Sequence, residues 1–131
     1  MNPASEDIKT LLDGDSSLGL VFMVNLFISE LPETPDNCVA VFDSPGLAPA
    51  LHTEWKQPGV QIRIRGDKGA YRAAHLLAQT IGDLLHGIHN ETVGATRYAL
   101  IQQMGDVIPL GRDQLERPEL SMNFQIQRTT A

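Results

Sequence analysis

The sequence predicts an α+β fold: a mixed, largely antiparallel sheet of about five strands, packed by one long helix and a short N-terminal helix. Three observations predict it. Val60–Arg65 (VQIRIR) and Ser121–Arg128 (SMNFQIQR) alternate apolar and polar residues with the period of a half-covered strand. Tyr71 to Ile88 repeats apolar residues at three- and four-residue spacing, which is one face of a helix. The chain has 131 residues, 42% of them hydrophobic and 20% charged, which suits a single domain over residues 1–131 with one core.

The first helix is expected over Pro3–Leu12. Asn2 suits its N-cap, Pro3 its first position, and Glu6 and Asp7 the positive end of its dipole. Leu20–Ser29 (LVFMVNLFIS) reads as a strand buried on both faces, in which Asn25 needs a partner or an edge. After the proline turn Leu31–Asn37, Cys38–Phe42 reads as a second strand. Asp43–Gly59, with its prolines and glycines, is expected to be a long loop, and such loops are usually functional or poorly ordered. Its Trp55 either packs beneath the loop or anchors a partner.

Val60–Arg65 is the third strand, and Gly66–Gly69 breaks it. The main core helix follows over about Lys68–Ile88, ended by Gly87 and Asn90. Thr96–Met104 and Ser121–Arg128 are the last two strands. The segment between them, Gly105–Glu119, forms the charged tip of a long antiparallel hairpin.

Ten Lys and Arg face sixteen Asp and Glu, a net charge of −6, so the chain repels a phosphate backbone on average. The single cysteine, Cys38, cannot form an internal disulfide and reads as a small core hydrophobe. The N-terminus lacks a secretory pattern, and the longest apolar run, Leu18–Ile28, is too short to span a bilayer. These features lead to the expectation of a protein kept in a reducing cytoplasm, with no membrane partner.

No catalytic set is visible. His75, His86 and His89 lack the further ligands a metal needs, and there is no HExxH or GxSxG pattern. Gly66-Asp67-Lys68-Gly69 lacks the phosphate-cradle spacings. Arg63, Arg65 and Arg72 could form an anion site beside that turn, or serve as ion-pair partners between subunits. The outward Gln and Asn of the last strand suit either solvent or a wet interface. No cofactor is expected.

Three segments carry a resemblance: LPETPDNCVAVFDSPG (Leu31–Gly46), PGVQIRIRGDKGAYRAAHLLAQTI (Pro58–Ile81) and GDVIPLGRDQLERPELSMNFQIQR (Gly105–Arg128). Together they span about half the chain, and it resembles the tail terminator or minor capsid proteins of siphophages. The resemblance implies a non-enzymatic subunit of a ring, usually hexameric, on the head-proximal end of the tail tube. Such a ring stops tube polymerisation at the head–tail joint of the virion, after assembly in the host cytoplasm. Its partners would be copies of itself, the major tail tube protein and a head-completion or connector protein, with DNA only passing through the opening. Under this reading Trp55, Arg63, Arg65, Arg112, Asp113, Glu116 and Arg117 are the candidate subunit or partner interface. Another neck component, such as a tail-completion or head–tail connector protein, is the near alternative. A small anion-binding enzyme is the more distant one.

Overall fold

The computed structural model describes residues 1–131. Two helices lie on one face of a seven-stranded sheet. The elements run α1 (Ala4–Asp13), β1 (Leu26–Ile28), β2 (Cys38–Leu47), β3 (Gln57–Arg65), α2 (Tyr71–Leu85), β4 (His89–Val93), β5 (Thr96–Gln103), β6 (Ile108–Arg112) and β7 (Pro118–Thr130). The strand order is β1-β2-β3-β7-β5-β4, and β6 pairs beside the first part of β7. β1 runs parallel to β2, and every other pair is antiparallel. The α+β class and the mixed, largely antiparallel sheet hold; the count of five strands is corrected to seven.

The core lies between sheet and helices. Ala4, Ile8 and Leu12 of α1, four residues apart, are buried with Ala74, Ala78, Ile81 and Leu85 of α2. Beneath them sit Val39 and Val41, then Val60, Ile62 and Ile64, and then Met122, Phe124 and Ile126. The alternation read in β3 and β7 therefore marks the helix-covered face. The other face bears Gln61, Arg63, Asn123 and Gln125, all half-buried, and a small cluster of Phe27, Cys38 and Ala40. Burial raises the pKa of the Cys38 thiol, which keeps it protonated.

Both extra strands escape a reading based on apolar alternation. β4 (HNETV) is polar and almost wholly exposed, so neither face shows a stripe. β6 (IPLGR) contains Pro109 and Gly111, which are tolerated because it pairs on one side only. The hairpin itself is present. β5 and β6 together form one arm against β7, with Asp113–Arg117 at the tip.

The expected strand Leu20–Ser29 shrinks to Leu26–Ile28. Asn25 is the reason. Its Oδ1 accepts the Val21 N–H at 2.7 Å and its Nδ2 donates to the Gly19 carbonyl at 3.1 Å. Those bonds compete with a sheet ladder and fold residues 21–25 into turns. The long helix is likewise shorter than expected, beginning at Tyr71 and ending at Leu85.

The α1 boundaries hold to within one residue, but its cap is different. Pro3 occupies the N-cap position and offers no side-chain bond. Asp43, 38 residues away on β2, supplies it instead: its carboxylate accepts the Ser5 N–H at 3.0 Å and the Ser5 hydroxyl at 2.6 Å. A carboxylate at this end also complements the helix dipole.

The expected loop Asp43–Gly59 shortens to residues 48–56, because β2 continues to Leu47 and β3 begins at Gln57. A bulge between Ser44 and Leu47 turns on Gly46, whose φ is +61°. A Cβ there would lie 2.3 Å from the Gln57 carbonyl oxygen and 2.4 Å from the Gly59 nitrogen, both backbone atoms. Gly46→Ala is therefore expected to cost roughly 2 kcal/mol or more, combining left-handed strain with overpacking. Gly94→Ala has the same φ strain (+58°) but open space around it, and should cost only about 1 kcal/mol. Urea midpoints of the two variants check the difference.

Candidate functional site

No group of three or more His, Cys, Asp or Glu comes together as a metal site. His86 uses Nδ1 to accept the Gln103 N–H at 2.9 Å, while His89 contacts the Gly87 carbonyl of its own turn. The candidate residues fall instead into three places: a clasp around the proline turn, the open sheet face, and a cleft beside the hairpin tip.

The clasp is built from Arg65 and Arg117. They are 4% and 5% exposed. Arg65 donates through Nε to the Asp36 carbonyl (2.8 Å) and through Nη2 to the carbonyls of Pro32 and Pro35. Arg117 reaches the same turn from β7's start, donating through Nη1 to the Glu33 carbonyl and to Asp36 Oδ1. The fork of donors on each guanidinium lets one side chain hold several carbonyls of an irregular segment. Both guanidinium groups are thus spent within the chain. Arg65 does not join Arg63 at an anion site.

Asp113 organises the tip. Its Oδ1 accepts the N–H groups of Leu115 (3.0 Å) and Arg117 (2.9 Å), and its Oδ2 accepts Arg117 Nε–H at 2.8 Å. Desolvation pushes its pKa up, but the bonds from Arg117 and Leu115 outweigh that and hold it below the ordinary 3.8. A depressed carboxyl pKa stabilises the fold above the unfolded value, and that contribution is lost as pH falls through the folded value. Asp113 is therefore expected to titrate below 3.8 by NMR, with the Leu115 and Arg117 amides losing exchange protection over the same range. Unchanged tip protection in Asp113→Ala would contradict this.

The remaining candidates are separately placed. Arg63 lies on the open face, 5.5 Å over the Phe42 ring, with Nε donating to Gln61 Oε1 at 3.2 Å. Trp55 is half-buried under Arg97, whose guanidinium sits 5.2 Å above its ring. Arg112 is exposed and belongs to no ion pair of the chain. Glu116 pairs with Lys68 at 3.1 Å across the mouth of a cleft of about 410 Å³. Tyr71, Pro109, Gly111 and Arg112 help to line that cleft, where α2's first turn faces β6.

These features describe a folding unit with a stapled turn, uncovered edges and no constellation of reacting groups. The model of a family described as bacteriophage tail terminator protein matches residues 7–130. The chain belongs to this family. Its fold also matches a chain from the virion of a native gene transfer agent particle, with a TM-score of 0.72 at 12% identity, covering 93% of this chain and 91% of that one. At that identity the likeness is one of fold. No curated protein matches the chain.

For a tail terminator family member, the surfaces are the site. Sequence reasoning missed one exposed apolar surface among them. Val21, Met23 and Val24 stand at 51%, 65% and 61% exposure in the turn stapled by Asn25. The signals available were Gly19 before the run and Asn25 within it.

Proposed function

We propose that this chain is a subunit of a closed ring of six copies on the head-proximal end of a phage tail tube. There it stops tube polymerisation and joins the tail to a head-completion or connector protein. The observation that carries this reading is the family match over residues 7–130. The fold shared with a gene transfer agent virion chain supports a structural role in a particle. The work of such a subunit is geometric and non-enzymatic.

The partners in this reading are copies of the chain itself, the major tail tube protein and the head-side protein. Its place is the head–tail joint of the virion, reached after assembly in the host cytoplasm. DNA passes through the opening. With a net charge of −6 per subunit, a ring repels phosphates and does not hold the DNA. No helix is long and apolar enough to cross a membrane.

The native mass tests the ring. Sedimentation should give a species of six times the 14.3 kDa chain mass, alone or on isolated tail tubes. A monomer under both conditions would contradict the proposal.

A further inference from the structure

β1 and β6 are the two margins of one half of the sheet, in the order β1-β2-β3-β7-β6. Four strand spacings, roughly 19 Å, separate them. The two margins carry surfaces of opposite shape and charge.

The β1 margin carries a rigid apolar knob. Its turn is fixed by Val24 N–H to the Val21 carbonyl (3.0 Å), Met23 N–H to the Leu26 carbonyl (2.9 Å) and the two Asn25 side-chain bonds. Val21, Met23 and Val24 therefore face solvent in set positions, and contiguous exposed apolar groups of this kind mark interaction sites. The sequence around the knob is acidic. Asp13, Asp15 and Glu30 flank it in sequence, and no Lys or Arg occurs between Lys9 and Lys56. Lys9 itself is engaged 4.6 Å over the Phe22 ring.

The β6 margin carries the cleft. Its walls include Tyr71, Pro109 and Pro118, and the neighbouring Leu110 is 49% exposed. Its frame is basic: Lys68 is paired with Glu116, which leaves Arg112 as the unpaired charge of the lining, and Arg72 is exposed beside it.

We infer that the Val21–Val24 knob of one copy seats in the Tyr71–Pro109 cleft of the next copy. This rests on the proposed self-assembly and names the contact that performs it. The two patches differ and lie on opposite margins, so the contact is head-to-tail, and a fixed rotation per step closes it into a ring. Acidic flank meets basic frame, so charge sets the direction and register of the contact.

The test uses two full-length variants, Met23→Asp and Tyr71→Asp. Both positions are exposed, and Asp tolerates the φ of +69° at Met23. Circular dichroism and melting should match the wild type. Val24→Glu and Pro109→Glu are the second pair should either first variant unfold. Each variant alone is expected to associate roughly 100-fold more weakly than wild type, because a carboxylate enters the buried centre of the contact. Mixed one to one, Met23→Asp keeps a good cleft and Tyr71→Asp a good knob. The mixture should form heterodimers that grow no further. A wild type that forms rings while either variant assembles equally well, or while the mixture stays monomeric, overturns this contact and leaves the ring standing. A wild type that never self-associates, even on tail tubes, overturns both.

Discussion

Replacing Arg65 with alanine is expected to destabilise the fold by about 3 kcal/mol, one of the two largest single-residue effects outside the apolar core. The side chain is buried and donates to three carbonyls, those of Pro32, Pro35 and Asp36. Truncation leaves these acceptors in a space too enclosed to rehydrate freely, and it removes the packing of the aliphatic stem. For a chain of this length the melting temperature should fall by roughly 10 °C. Arg65→Lys should recover little of the loss, because one ammonium cannot reproduce the fork. Arg117→Ala should act on the same turn, and the two losses should be non-additive since both residues hold Pro32–Asp36. Thermal melts of the singles and the double check this. A loss near zero for Arg65→Ala would show that the turn is held by other means.

Removing the Tyr98 hydroxyl is expected to cost about 2 kcal/mol. Tyr98 is fully buried and Asp7 is 2% exposed, and the hydroxyl donates to Asp7 Oδ2. Arg128 completes the group, with Nη1 donating to the Asn2 carbonyl at 2.8 Å and lying 3.4 Å from the Tyr98 oxygen. This network ties the N-terminal helix to β5, 91 residues away for the Asp7–Tyr98 pair, and the residues just before that helix to β7. Tyr98→Phe keeps the ring and leaves the buried Asp7 carboxylate short of a donor, so the cost belongs to the hydrogen bond rather than to a cavity. Burial first, and then the bond to Asp7, raises the Tyr98 pKa far above the ordinary 10.0. A raised folded value means the stabilisation is whole below pH 10 and is lost as the pH climbs through the folded value. Alkaline melts should therefore show the wild type losing stability above pH 10 more steeply than Tyr98→Phe. Parallel curves would contradict the assignment.

How much of this was legible in the sequence varied with the distance over which each feature is determined. Val60–Arg65 and Ser121–Arg128 read correctly because period-two alternation is local and the sheet covers one face only. The α2 stripe read correctly for the same reason, although Tyr71 at its start turned out to be exposed in the cleft. Leu20–Ser29 misled because an apolar run looks alike whether it is buried at home or held out for a partner. Only the Asn25 side-chain bonds separate the two, and they depend on a turn geometry that residue types do not state. The Asp43 cap on α1 and the Arg65 and Arg117 clasp join positions far apart in sequence, so no local pattern could reveal them. Arg65, Asp113 and Arg117 were named as candidate interface charges, and the bonds they make inside the chain were not legible. The match with the tail terminator family confirms what the segments Leu31–Gly46, Pro58–Ile81 and Gly105–Arg128 resembled.

The most direct test of the terminator role is the length of the tail. A phage carrying a null allele of this protein should yield tail tubes longer than the wild type and of uncontrolled length, without heads, when lysates are viewed by electron microscopy. Supplying the wild-type chain should restore one tail length and joined particles. Tails of normal, uniform length in its absence, whether joined to heads or free, would contradict the claim that this chain ends tube polymerisation.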